Sequence, residues 1–232
     1  MSIMKTKLLN IIRQVEDYLR DERKKGINFL VTLKDSAPVS LNDAQVRSLA
    51  GSLLQEMEKK VALCTRCQLF STRKNTVFGE GSPDASLVFV GEAPGADEDL
   101  QGRPFVGRAG QLLTKIIRAI GFERSDVYIC NILKCRPPEN RTPLPSEIIE
   151  CREYILSQLD IIKPKVICTL GSVASQALLN TTEGITKLRG RFYDFCGAKL
   201  MPTYHPAFLL RNESRKRETW ADMKMIKKEL GI

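Results

Sequence analysis

Histidine is almost missing from this chain: among 232 residues there is one, His205. Zinc fingers built on two cysteines and two histidines are thereby excluded, and so are His-rich metal centres. Tryptophan also occurs once, and aromatic residues make up only 6%. Long apolar runs are lacking too. The longest, such as Leu87-Val88-Phe89-Val90, fall far short of a membrane span. After Met1-Ser2-Ile3-Met4-Lys5 charges recur every few residues, with no apolar signal core and no small-residue cleavage site. A cytoplasmic protein without a membrane segment is expected. Neither G-x-G-x-x-G nor a Walker loop is present, so nucleotide binding by those routes has no support.

What is present points to a packed, basic protein. Apolar residues reach 43% and charged residues 27%, enough for a core and against global disorder. Lys and Arg total 36 against 27 Asp and Glu, a net charge of +9. Such a balance favours a polyanionic partner, either nucleic acid or an anionic membrane face. The length suits one α/β domain and is short for two.

Two regions differ in pattern. Leu8, Ile11, Ile12, Val15, Tyr18 and Leu19 recur at helical spacing and predict an amphipathic helix over Lys7–Arg20. Lys24–Leu41 reads as a linker. Asn42 caps a predicted helix from Asp43 to about Lys60. We therefore expect residues 1–60 to form an N-terminal helical extension and 61–232 the main domain. From Ala85 onward, strands and helices alternate. Strands are predicted at 87–90, 127–130, 166–170, 192–195 and 199–204. Helices are predicted at 112–120, 145–162, 172–179 and 213–230. That alternation predicts an α/β fold with a parallel sheet covered on both faces. Ligand sites in such sheets form at the carboxyl ends of the strands, here Gly91-Glu92, Asn131 and Gly171.

The seven cysteines are too many for an intracellular chain of this kind to ignore. Cys64-Thr65-Arg66-Cys67 is a C-x2-C pair. Cys135 and Cys151 have 15 residues between them, around a Pro-rich loop. Four thiolates without histidine suit an all-thiolate zinc site or an iron–sulfur cluster. They also fit ordinary buried thiols. Cys130, Cys168 and Cys196 lie in or beside strand patterns and read as core or incidental residues.

Two loops carry candidate chemistry. The first runs from Gly91-Glu92-Ala93-Pro94-Gly95 through Gly102-Arg103-Pro104-Phe105-Val106-Gly107. Its glycines allow close approach of backbone to a ligand. Glu92 leaves the sheet at its carboxyl edge, where a catalytic carboxylate fits, and Phe105 could face a planar ligand. A solvated loop with Phe105 as a core plug explains the same residues. The second is His205-Pro206-Ala207-Phe208-Leu209-Leu210-Arg211, an apolar tip beside basic charge that suits a DNA wedge. A lone His beside Pro is also a common structural feature.

Together these pieces resemble the family 4 uracil-DNA glycosylases, the iron–sulfur branch of that superfamily. The likeness runs from about Val61 to Ile232. It rests on Cys64-x2-Cys67, Gly91-Glu92-Ala93-Pro94-Gly95, Gly102 to Gly107, Asn131-Ile132-Leu133-Lys134-Cys135-Arg136-Pro137-Pro138, Cys151 and His205-Pro206. The resemblance implies a three-layer α/β/α sandwich with a central four-stranded parallel sheet. It implies a 4Fe–4S cluster on Cys64, Cys67, Cys135 and Cys151. It implies uracil-containing DNA, single- or double-stranded, as partner, and a monomer.

Roles follow from the matched positions. Phe105 would stack on a flipped uracil, and Ala93 would lie against it. Asn131 would read the Watson–Crick edge, His205 would donate to O2, and Glu92 would orient water or stabilise the cationic sugar. Leu209 or Leu210 would fill the gap in the stack, and Glu98 would stand near uracil C5. Three departures are visible. Ala93 occupies a position where some superfamily members carry a catalytic Asp. Ala207 replaces the usual Ser after His-Pro. The Pro-rich loop carries no His, so ordinary turnover is expected rather than covalent trapping. Two other classes remain alternatives on sequence alone: a non-catalytic nucleic-acid-binding module with a four-cysteine metal site, related to the N-terminal part of a phage-type DNA polymerase, and a redox iron–sulfur protein.

Overall fold

Five consecutive apolar or small residues, Leu87 to Gly91, form strand β2, and all five are buried. A strand with no polar alternation belongs inside a sheet covered on both faces. The computed structural model describes residues 43–232. The predicted helix over Lys7–Arg20 and the linker over Lys24–Leu41 lie outside the described residues.

Helix α1, Asp43–Ala62, precedes a six-stranded sheet. Its strands are β1 (Glu80–Gly81), β2 (Leu87–Gly91), β3 (Tyr128–Asn131), β4 (Val166–Leu170), β5 (Tyr193–Phe195) and β6 (Ala198–Thr203). Their order across the sheet is β1-β3-β2-β4-β6-β5. The four inner strands, β3, β2, β4 and β6, pair in parallel. The two edge strands pair antiparallel. The expected four-stranded parallel sheet is therefore the centre of a wider one. β1 escaped the sequence reading because it has two residues and no apolar pattern.

The remaining helices are α2 (Ala96–Gln101), α3 (Arg108–Ala119), α4 (Pro145–Ile162), α5 (Ser172–Leu179), α6 (Ile185–Leu188), α7 (Pro206–Arg211) and α8 (Lys216–Leu230). Side chains alternate across the sheet and build two cores. Val88, Val90, Cys130, Ile167 and Leu200 pack with Leu54 and Val61 of α1 and Ile155 and Leu159 of α4. Leu87, Phe89, Ile129, Cys168 and Met201 pack with Leu113 and Ile117 of α3 and Met223 and Ile226 of α8. These two apolar layers on one sheet make the α/β/α sandwich. Cys130 and Cys168 sit in the two cores as expected, and Cys196 is exposed in the β5–β6 turn. The boundary expected at residue 60/61 falls inside α1.

Chain direction explains where a site forms. From β2 the chain crosses to β3 on one side, then returns to β4 on the other. The crevice at such a reversal lies outside the carboxyl ends of these strands. Gly91, Asn131 and Leu170 end β2, β3 and β4 there, and His205 follows β6 at the same edge.

Candidate active site and four-cysteine cavity

Gly91 is required by packing. A Cβ there would lie 2.3 Å from Asn131 Oδ1 and 2.5 Å from Phe105 Cζ. No other residue leaves room for both groups over the end of β2. The Asn131 amide and the Phe105 ring edge are thus brought side by side on the backbone of residue 91.

Phe105 is held in an unusual backbone conformation. Its φ is +52°, a left-handed value that costs a bulky residue strain. Three features hold it. Gly110 lies against its carbonyl, where a Cβ would meet the oxygen at 1.8 Å. Arg124 Nη2 donates to Pro104 O at 2.8 Å, and Nη1 donates to Phe105 O at 3.2 Å. Glu98 Oε1 accepts the N–H groups of Val106 and Gly107 at 2.9 and 3.0 Å, while its Oε2 accepts that of Gly95 at 3.1 Å. Arg124 is itself paired with Glu80 of β1 at 2.5 Å. Glu98, expected beside uracil C5, therefore spends its carboxylate on three backbone amides. It remains close enough to interact electrostatically with His205.

Asn131 is 1% exposed. Its Oδ1 is one of two buried side-chain polar atoms without a hydrogen-bond partner among the described residues, the other being Arg152 Nε. An orphan acceptor costs about 1–3 kcal/mol, so a ligand donor at that point is strongly favoured. Phe105 and His205 face each other with ring centroids 5.7 Å apart and planes tilted by 34°.

His205 caps α7, and its Nδ1 accepts the N–H of Ala207 at 3.1 Å. In the neutral ring this places the proton on Nε2, which is then a fixed donor. Burial, with a further push from Arg211, depresses its pKa to about 4. The ring is neutral at physiological pH. Gly171, with φ +91°, ends β4 against it, and a Cβ there would stand 3.1 Å from His205 Cβ. Glu92 is half-buried, and burial raises its carboxyl above the usual range. Its backbone carbonyl accepts Leu133 N–H at 3.0 Å, joining the β2 and β3 loops. Ala93 follows and packs against the first core. The two leucines separate cleanly: Leu209 is 1% exposed and Leu210 is 42% exposed.

The four singled-out cysteines share one cavity. Cys64, Cys67, Cys135 and Cys151 line it with Val61, Arg73, Lys134 and Tyr154, around roughly 300 Å³ of empty space including its open mouth. Distant segments meet here: the end of α1, the loop after β3, and the second turn of α4. Arg66 fastens the C-x2-C loop to α4 through Glu153 at 2.8 Å and Glu150 at 3.4 Å. Arg73 Nη1 donates to Cys135 Sγ at 3.2 Å, and the Lys134 N–H donates to Cys151 Sγ at 3.4 Å. Among the described residues, no three His, Cys, Asp or Glu side chains converge as a single-ion site. Burial raises the Cys135 thiol, and that of Cys151 to about 11.

Sequence reasoning missed Arg124 and assigned no role to Gly110 or Lys134. Arg124 gave no signal, since it stands in a short polar stretch before β3. Lys134 stood in view inside Asn131-Ile132-Leu133-Lys134-Cys135, a charge at a position that strand-end packing makes fully buried.

The model of the uracil DNA glycosylase superfamily matches residues 78–224. A type-4 uracil-DNA glycosylase of Thermotoga maritima is 49% identical over 166 residues, covering 71% of this chain and 86% of that protein. One from Archaeoglobus fulgidus is 42% identical over 181 residues, covering 75% of this chain and 91% of its own. A DNA polymerase of Bacillus phage SP01 is 35% identical over 134 residues, but these are only 14% of the polymerase. The family match spans well over half of the sequence, and the two glycosylases align over most of their own length. The chain belongs to the uracil DNA glycosylase superfamily.

Proposed function

We propose that this protein hydrolyses the N-glycosidic bond of deoxyuridine in DNA, releasing uracil and leaving an abasic site in base excision repair. One observation carries the reading: the buried Asn131 carboxamide oxygen without a partner, set beside the Phe105 ring, which in turn faces His205. The relatives named type-4 uracil-DNA glycosylases point to the same chemistry.

The residues divide the work. A flipped base stacks on Phe105 and lies against Ala93. Asn131 Oδ1 accepts from uracil N3–H and its amide nitrogen donates to O4. Cytosine offers an acceptor and a donor at those two places and mismatches both. As the C1′–N1 bond breaks, its electron pair leaves on uracil. The Nε2–H of His205 meets the charge growing on O2. Water oxygen bonds to C1′, and the proton it loses is balanced by protonation of the released base. Glu92, as a carboxylate, holds that water and faces the cationic sugar. Leu210, the exposed leucine of α7, fills the vacated stack, and Leu209 supports it from the core.

The cysteine cavity fits a 4Fe–4S cluster. Four thiols from three separate segments line one space with no histidine among them, a donor set that iron–sulfur clusters use. Cys64, Cys67, Cys135 and Cys151 would be its ligands. Bound there, it would supply metal–thiolate bonds that pin these segments together. The DNA partner is uracil-containing, single- or double-stranded, and the enzyme acts as a monomer.

The direct test uses an oligonucleotide with one uracil, incubated with the protein and then treated with alkali. Strand cleavage at uracil, and none at cytosine or thymine in the same position, is expected. An intact uracil strand overturns the proposal.

A further inference from the structure

Lys134 is a fully buried lysine with no carboxylate paired to it among the described residues. Its Nζ donates to the main-chain carbonyl of Asn131 at 2.8 Å and to Gln158 Oε1 of α4 at 2.5 Å. Gln158 in turn donates to Phe78 O at 3.0 Å and Tyr128 Oη at 3.1 Å. Burying an amine is costly, and a long apolar residue would fill the space without that cost. The function of the donors therefore needs a reason.

Backbone bookkeeping supplies it. Past the end of β3 the chain leaves the ladder, and each of its buried polar groups must find another partner. Ile132 N–H donates to Gly91 O at 2.9 Å, and Leu133 N–H to Glu92 O at 3.0 Å. Lys134 N–H donates to Cys151 Sγ, and Lys134 O accepts Val77 N–H at 2.8 Å. Within this turn the Asn131 carbonyl is the group that the Lys134 side chain serves. Asn131 reads the base with a side chain whose direction follows from that same peptide.

We propose that Lys134 is a positioning residue for base recognition. Its Nζ ties the Asn131 main chain to Gln158, while its own N–H ties the same turn to Cys151. One residue thereby fixes both the uracil-reading amide and one corner of the four-cysteine site. This rests on the glycosylase reading above and deepens it: the cysteine site and the base pocket are neighbours held by a common strut.

The test is Lys134→Met, an unbranched replacement of similar length that removes the side-chain donors and keeps the backbone N–H to Cys151. Protein purified with its iron is compared with wild type for iron per chain, DNA affinity, inhibition by free uracil, and single-turnover excision. Iron content and DNA affinity should match wild type. The inhibition constant for uracil should rise and the excision rate fall, each roughly tenfold to a hundredfold, as a misplacement near 1 Å produces. Gln158→Met leaves Nζ with one acceptor, the Asn131 carbonyl, and should shift both in the same direction by less. Unchanged uracil inhibition in folded Lys134→Met overturns the proposal, as does an activity loss that simply tracks lost iron. If Lys134→Met does not fold, unchanged uracil inhibition in Gln158→Met overturns it. A wild-type protein that releases no uracil at all overturns the functional reading itself.

Discussion

His205 shows how one side chain gains a function from two neighbours. The Ala207 N–H takes Nδ1, and burial removes the positive charge. What remains is a neutral donor with a fixed direction, suited to a base leaving as an anion. A donor of this kind is worth about 3 kcal/mol in the transition state. His205→Ala should lower single-turnover excision roughly a hundredfold and leave DNA affinity within about twofold. A folded mutant excising at wild-type rate would remove His205 from the mechanism. The depressed pKa has a consequence for stability. The unfolded ring, near 6.5, binds protons more readily than the folded one, near 4. Stability is therefore lost as pH falls from about 6.5 toward 4, and His205→Ala should flatten thermal unfolding across that window. Activity has a separate acid limb. Glu92 must be ionised, and burial holds its pKa above 4.5. As pH is lowered, rates should thus begin to fall at a higher pH than an ordinary Glu would impose, and Glu92→Gln should abolish that limb.

Asn131 is tested by its charge. Asn131→Asp replaces the donor to O4 with a second acceptor, so uracil excision should fall by at least tenfold, the cost of about one lost hydrogen bond with repulsion added. An ionised carboxylate also accepts from the amine of cytosine. Parallel time courses on uracil- and cytosine-containing strands measure the shift in preference, and unchanged uracil kinetics would take Asn131 out of the pocket.

At the scale of elements, the loop from β2 to α3 is where sequence and structure part. The strands β2, β3 and β4 and helices α4 and α5 were legible because uninterrupted apolar runs and helical spacing are local signals. The glycines at 91 and 110 were visible as letters, but their purpose was not. Each is required by a neighbour far away in sequence, Asn131 for one and the bent Phe105 for the other. Glu98 was legible as an acidic residue near the site. Its three backbone partners depend on how the loop folds back, which no periodicity encodes. Arg124 was invisible for the same reason. It holds two successive carbonyls around a residue in a strained conformation. Arg124→Met should release that strain, which is worth about 1–3 kcal/mol. The expected result is weaker inhibition by free uracil and slower excision, with DNA affinity retained. Equal base inhibition in mutant and wild type would show that Gly110 and Glu98 suffice to hold Phe105.

At the scale of the molecule, the cysteine cavity joins segments the sheet does not. The end of α1, the loop after β3 and α4 meet there, and Arg66, Arg73 and Lys134 arrange polar contacts around them. A cross-link closing the 15-residue span between Cys135 and Cys151 restricts the unfolded chain by about 3 kcal/mol on entropy alone. For a domain of this size that corresponds to roughly 6–12 °C in Tm. With the proposed cluster as that cross-link, Cys151→Ser should lose iron and its visible absorption, and lower Tm by at least that amount. It should also slow excision, because the loop that carries Cys135 begins at Asn131. A Cys151→Ser protein without iron that melts and excises like wild type would show that the cavity holds nothing the fold depends on. Intact base inhibition with a lowered Tm would instead confine the cysteines to stability and separate them from the pocket.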